Sequence, residues 1–402
     1  MEIRRDLAKE IFTVIREVIG ERSHASSAIS SSLTKKRDWS DRKIALFSNT
    51  VYDIIRNWRL LWMILDREPS MEDRHLWHLL GALYILKGEP LPKRDEYRGL
   101  QLSKMQKRLE RSGSFRPLRE SIPDWLDRLG ERELGKEWDP VLHSLNTYPP
   151  LAVRANTLKV PRDELRKRLR SSGHDTDTVQ WAPDAAVFRT KCNAFRLEEF
   201  KEGLFEVQDP ASQAVSEFLG AEPGLKVVDA CAGQGGKTLH LSCLMGNRGR
   251  LIAMDNSEWK LKELRKRASR AGAQNIETRP VEGTKSYKRL KGTADRLLLD
   301  VPCSGLGALR RNPDIKWSLD QETLDRLRGV QRNILTDYSP LLKIGGRMVY
   351  ATCSILPSEG EEQVRWFVKQ NEGLYQLLEE KRLSPSSEGF DGFYMALIER
   401  EA

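Results

Sequence analysis

A three-part chain is predicted: a helical bundle over residues 1–118, a small α+β module over 119–206, and a doubly wound α/β domain over 207–402. Three observations predict it. Apolar residues recur at helical spacing through the first third, and short β-type runs between turn residues mark the middle. From about 207 onward, near-continuously apolar runs alternate with amphipathic stretches. Strands of that kind are buried on both faces, which is the signature of a parallel sheet under helices.

The elements follow in order. Ile3, Leu7, Ile11, Ile15 and Val18 form one apolar stripe. A second helix is expected from Asp41 to Leu65, with Ser40 as its N-cap and Phe47, Val51, Ile54, Trp58 and Leu61 facing inward. A third, Arg74–Leu86, stops at Gly88 and the prolines 90 and 92. The Ser-rich stretch Ser23–Ser32 is expected to be a loop or helix junction. Past 119, Trp125–Trp138 reads as a short helical region and Tyr148-Pro149-Pro150 as a boundary. Strands are expected at Leu151–Asn156, around Ala186–Arg189 and at Phe205–Val207, with a charged helix at Arg162–Arg170. The last domain should place strands at Lys226–Ala230, Arg250–Asp255, Ile276–Val281, Asp295–Asp300, Gly346–Thr352 and Phe393–Glu399. Helices should fill Thr238–Met245, Ser257–Ala271, Leu319–Leu342 and Glu359–Asn371.

Composition narrows the function classes. The net charge of +9 suits a polyanionic partner, of which nucleic acid is the common one. No apolar run is long enough to span a bilayer and the charged start lacks a signal-peptide core, so no membrane partner and a cytoplasmic address are expected. Five cysteines with no C-x-x-C pair argue against a disulfide framework or a zinc site. His75 and His78 lie in an apolar stretch that reads as a half-buried helix face, so no metal is expected.

The segment Asp229-Ala230-Cys231-Ala232-Gly233-Gln234-Gly235-Gly236-Lys237 carries a strand through a Gly-rich turn into a helix. Such turns let a ligand approach the backbone and the unpaired N–H groups of the helix start. The G-x-G-x-x-G spacing of a dinucleotide site fails here, and so does the G-x-x-x-x-G-K-[ST] spacing of a P-loop. S-adenosylmethionine, which carries no phosphate, fits better: Asp229 can meet its ammonium and Asp255, at the next strand end, its ribose hydroxyls.

Cys303 and Cys353 each follow an apolar strand, in Asp300-Val301-Pro302-Cys303-Ser304 and Tyr350-Ala351-Thr352-Cys353-Ser354. Two thiols at the ligand-binding edge of such a sheet suggest covalent catalysis, although redox or metal chemistry also uses thiol pairs. Methylation at carbon 5 of a pyrimidine needs a thiolate at C6, a hydrogen-bond partner for the ring and a route for the C5 proton. Cys303, Cys353 and Asp300 supply those groups.

With Asp229–Thr238, Asp300–Gly307, Arg310–Trp317 and Tyr350–Pro357 in order, and Gln208–Gln213 ahead of them, the chain resembles the bacterial Sun/Fmu-type ribosomal RNA (cytosine-5-)-methyltransferases over about 207–402. Asp41-Arg42-Lys43 and Val51–Arg56 are similar to the NusB-like helical RNA-binding domain of the small-subunit rRNA member. The resemblance implies a Rossmann-like class I methyltransferase domain behind an RRM-like module. It implies that Cys353 is the nucleophile, that Cys303 assists C5 deprotonation and product release, and that Asp300 contacts the base. Lys237 would face the target nucleotide, Asp255 the ribose, and Glu282 the adenine. The chain departs from the family at Gly233-Gln234, usually Ala-Pro, at Glu282, commonly aspartate, and at Gly360, often asparagine.

Arg310, Arg311 and Lys316 beside Trp317 suit contacts to single-stranded RNA. A base carbon can be reached only in an unstacked nucleotide, so a cytosine in an rRNA loop or junction is the expected substrate, met by a monomer. The same chemistry on tRNA and a non-catalytic ribosome-assembly role are the alternatives. An amino-methyltransferase would want Asn/Asp-Pro-Pro-aromatic where this chain has Asp300-Val301-Pro302-Cys303.

Overall fold

The computed structural model describes residues 3–36 and 38–402. The chain divides into two compact units: residues up to Tyr148 together with Leu309–Asp320, and Pro149–Ala308 together with Gln321–Ala402. Residues 119–148 therefore cluster with the helices, a different division from the 118/119 boundary expected from composition.

The first unit is helical. Arg5–Ile15, Asp41–Arg56, Trp58–Leu65 and Asp73–Leu86 bury one shared apolar cluster that includes Phe12, Phe47, Leu61 and Leu80. Ser40 caps the second of these by accepting from the Lys43 N–H at 3.4 Å. The single helix expected over 41–65 breaks at Asn57, whose side-chain amide donates to the Asp53 carbonyl at 2.9 Å, and restarts at Trp58. The Ser-rich stretch is a helix, Ala25–Thr34, because Ala25, Ala28, Ile29 and Ser32 fall on one buried face at helical spacing. Two further helices, Asp124–Leu134 and Trp138–Leu145, belong to the same unit.

The segment 309–320 completes this unit, and it corrects the RNA-contact expectation. Lys316 is 0% and Arg310 3% exposed. The Lys316 ammonium donates to the Arg56 carbonyl at 3.0 Å, the Glu120 carbonyl at 2.9 Å and Asn146 Oδ1 at 2.6 Å. Burial, with the Arg56 guanidinium nearby, pushes that ammonium well below its ordinary value. Arg56 in turn donates to the Arg310 carbonyl at 2.8 Å, and the Trp317 indole to Ile55 O at 2.7 Å. These cations and this aromatic hold a domain together rather than face a nucleic acid. Arg311 is half-buried.

The second unit contains two sheets. Strands β1 (Ala152–Ala155), β2 (Thr176–Val179), β3 (Ala182–Phe188) and β4 (Phe205–Val207) form an antiparallel sheet in the order β2-β3-β1-β4. The larger sheet contains β5 (Lys226–Asp229), β6 (Arg250–Asp255), β7 (Ile276–Pro280), β8 (Ala294–Asp300), β9 (Leu342–Thr352), β10 (Tyr375–Leu383) and β11 (Phe393–Arg400). Its order is β10-β11-β9-β8-β5-β6-β7, parallel from β9 through β7, with β11 and β10 antiparallel. Apolar clusters cover both of its faces. The strand order reverses at β5, which lies between β6 and β8, and this switch point opens the crevice where ligands bind in such sheets. Strands β2 and β10 had no sequence expectation. Both lie at a sheet edge, and β10 is largely exposed and polar through Glu379, Glu380, Lys381 and Arg382, so no apolar run marks it. Among the described residues no helix is long and apolar enough to cross a membrane.

Candidate active site

Four strand ends converge on the crevice. Pairing puts Asp229 of β5 opposite Ala253 of β6 and Leu298 of β8, and Asp300 of β8 opposite Ala351 of β9. Asp229, Asp255, Asp300 and the two cysteine loops therefore share one edge.

At the turn after β5, Gly233 and Gly235 hold left-handed backbone, φ +54° and +86°. Asp255 organises this turn: its Oδ2 accepts the Gly233 N–H at 2.9 Å and its Oδ1 the Ser257 N–H at 2.8 Å. Each carboxylate oxygen has a further lone pair for a hydroxyl donor. A Cβ at Gly235 would overlap the Leu264 side chain, whereas one at Gly233 meets nothing within 4 Å, so the space at Gly233 is open to a ligand. Cys231 is half-buried, Ala232 buried and Gln234 exposed, and Gly236 starts the helix Gly236–Leu244. Arg154, from β1 and 1% exposed, donates to the Gly236 carbonyl at 2.7 Å and also bonds Gln208. Sequence reading missed this support, which comes from the smaller sheet.

Asp229 is 1% exposed; its Oδ2 accepts from the Thr238 hydroxyl at 2.7 Å and its Oδ1 has no hydrogen-bond partner. Burial raises its pKa to about 7, with Thr238 opposing and Asp300 adding to the shift. Near neutrality the group is poised between acid and carboxylate, and a cation placed at Oδ1 would favour the carboxylate. Glu282 is exposed on the loop two residues beyond β7, at the same edge of the sheet.

Lys237 reaches across the crevice mouth, its ammonium 2.7 Å from Asp300 Oδ2 and 5.0 Å from the centre of the Phe393 ring. Past Asp300, the Cys303 and Cys353 sulfurs lie 3.3 Å apart, both half-buried and free. The Cys353 contact, then burial, then the charges of Cys353 and Glu359 hold the Cys303 thiol well above its ordinary range. The contact between the two sulfurs can be donated from either side. Two backbone bonds fix these loops: Gly307 N–H to the Cys353 carbonyl at 2.9 Å, and Gly392 N–H to the Gly307 carbonyl at 2.8 Å. Away from this edge, His240 Nε2 lies 3.3 Å from Asp184 and 3.2 Å from Glu217. Two carboxylates around one ring N–H describe a hydrogen-bonded core histidine.

The family descriptions that match are 16S rRNA methyltransferase RsmB/F over residues 217–399 and its ferredoxin-like domain over 122–194. A probable ribosomal RNA small subunit methyltransferase B of Synechocystis is 37% identical over 257 residues, 63% of this chain and 57% of that protein. The Serratia proteamaculans ribosomal RNA small subunit methyltransferase B is 30% identical over 78% of this chain and 76% of its own length. The chain belongs to the RsmB/F methyltransferase family. It spans less than two thirds of some of these relatives, 57% of the Synechocystis protein and 65% of the Vibrio cholerae one. A solved methyltransferase homolog from Pyrococcus horikoshii superposes with TM-score 0.64 at 26% identity, covering 71% of this chain and 98% of that one. The fold of the solved protein PH0851 matches along both full chains, TM-score 0.79 at 24% identity. The smaller sheet is thus the RsmB/F ferredoxin-like module, and the larger one the Rossmann-like methyltransferase domain expected from the motifs.

S-adenosylmethionine is the methyl donor of this family's domain, and two observations fit it here: the unpartnered Asp229 Oδ1 for its ammonium, and the open space at Gly233. A pH dependence follows. Below pH 7 Asp229 is protonated and must lose its proton to meet a cation, so affinity rises with pH up to about 7 and then levels. Titration calorimetry at pH 5.5, 6.5 and 7.5 should show the dissociation constant falling by up to about tenfold per pH unit below 7. Asp229→Asn should bind more weakly and flatten that slope.

Proposed function

We propose that this chain methylates carbon 5 of a cytosine in small-subunit rRNA through a covalent bond between Cys353 and C6 of the base. The observation that carries the reading is the pair of free thiols 3.3 Å apart at the ends of adjacent parallel strands, beside the Lys237–Asp300 pair. When bound, S-adenosylmethionine supplies an electrophilic methyl group.

The chain's residues divide the remaining work. Asp300, held by Lys237, hydrogen-bonds the polar edge of the cytosine and sets the ring in the crevice mouth. Cys353, with Cys303 S–H as its hydrogen-bond donor, adds as thiolate to C6, and the ring electrons move to C5, which takes the methyl. Cys353 is then a neutral thioether and no longer holds the Cys303 proton. Cys303 gives that proton to solvent and accepts the C5 proton, the C5–C6 double bond re-forms, and Cys353 leaves as thiolate. An unstacked cytosine in a loop or junction is required, because the thiols must reach the ring from its face.

Small-subunit rRNA transcribed with cytidine tritiated at C5 tests the proposal directly. Incubation with enzyme and S-adenosylmethionine should release tritium to water and leave 5-methylcytidine at one site in the digest. Tritium release from tRNA and not from rRNA would transfer the chemistry to the other substrate. No release from either would leave the assembly-factor reading in its place.

A further inference from the structure

We propose that Glu359 is a positioning residue, whose buried carboxylate ties the Cys303 loop to the Cys353 loop and sets the spacing of the two thiols. The inference rests on the reading of these thiols as working partners.

Glu359 is 0% exposed. A carboxylate so placed is costly unless its oxygens are filled, and here four donors fill them. Oε1 accepts the Ser304 N–H at 2.8 Å and the Gln331 side-chain amide at 2.9 Å. Oε2 accepts the Ser304 hydroxyl at 2.5 Å and the Ser354 hydroxyl at 2.6 Å. Ser304 follows Cys303 and Ser354 follows Cys353 directly in the chain. The one carboxylate thus clamps the residue next to each thiol, and the two hydroxyls sit 3.2 Å apart on it. Gln331 closes the arrangement from the helix Gln321–Tyr338 by donating also to the Pro302 carbonyl at 3.0 Å, one residue before Cys303. Glu359 itself is anchored through its carbonyl, which accepts the buried Tyr350 hydroxyl at 2.7 Å.

All four donors are neutral, so the cluster keeps a net negative charge beside the thiols. That charge disfavours a thiolate at Cys303. Geometry carries the proposal: Glu359 holds the two loops, and with them the sulfurs, in register. A glutamine in its place would offer one acceptor and one donor where two hydroxyls and two N–H groups need acceptors, and the two loops would lose their common tether.

Glu359→Gln, with Ser354→Ala as a milder variant should the first fold poorly, tests this in the full chain. Two readouts are taken. The first is fluorescence from dibromobimane, which signals when one reagent joins both thiols and needs no RNA or cofactor. Glu359→Gln should bridge Cys303 and Cys353 at least several-fold more slowly than wild type. The second is turnover: kcat should fall by about 100-fold while KM for RNA and for S-adenosylmethionine stays within about twofold. Glu359→Asp, which keeps the charge one methylene short, should fall between. Wild-type bridging and wild-type kcat in Glu359→Gln would overturn the proposal, as would a loss that appears only as lowered thermal stability with KM raised alongside. A wild-type enzyme that bridges normally but methylates nothing would defeat the functional reading alone.

Discussion

Cys303→Ala protein mixed with rRNA and S-adenosylmethionine is expected to stop with RNA covalently attached. The complex should survive denaturing electrophoresis and map to Cys353. The asymmetry comes from the proposed roles: the thiols lie 3.3 Å apart, Cys353 bonding C6 and Cys303, raised by its contact with Cys353, by burial and by Glu359, taking the C5 proton. Without Cys303 the addition at C6 can still occur, but the C5 proton has no acceptor and Cys353 cannot leave. Cys353→Ala should give neither adduct nor product. Loss of turnover on the order of 1,000-fold is expected in both, with adduct in only one. Adduct in Cys353→Ala, or none in Cys303→Ala, would reverse or remove the assigned roles.

Gly307→Ala should be the most damaging single methyl group in the site. A Cβ there would overlap the Gly392 carbonyl oxygen and stand 2.8 Å from the Cys353 carbonyl oxygen. Both obstacles are backbone, so no side-chain rotation relieves them. The same glycine donates to the Cys353 carbonyl and accepts from Gly392, so relief must spread into the nucleophile's loop. We expect a loss of roughly 1–3 kcal/mol in denaturant unfolding and, in the protein that remains folded, a kcat reduced by about 100-fold. Unfolding curves and single-turnover methylation separate the two effects. An unaltered kcat would mean that the loop accommodates the shift without moving Cys353.

The parts of this site that depend on strand ends were legible in the sequence. A buried strand announces itself by a short apolar run, and the residue that follows it is delivered to the ligand edge; Asp229, Asp255, Asp300, Cys303 and Cys353 were all found that way. What was not legible depends on partners remote in the chain. Glu359 sits 55 residues from Ser304 and 28 from Gln331, and no local pattern marks a glutamate as the tether of two loops. The Ser that follows each cysteine was the available hint. The basic run at Arg310–Lys316 misled for the same reason. Lysine and arginine beside an aromatic residue look alike whether they meet phosphates or plug a domain, and the acceptors that decide it, Arg56, Glu120 and Asn146, lie 170 or more residues earlier in the chain. Edge strand β10 escaped because half-exposed polar strands carry no run at all.

The plug formed by residues 309–320 also bears on the order of events at the ribosome. The helical unit takes its last piece, Lys316 and Trp317 included, from a stretch made roughly 170 residues after Tyr148. At ordinary elongation rates that is a wait of about 10–30 s. During it the carbonyls of Ile55, Arg56 and Glu120 and the Asn146 side chain lack the donors that satisfy them in the finished protein. Water or a chaperone must cover them meanwhile. The first unit to be started can thus be completed only after most of the second has been made.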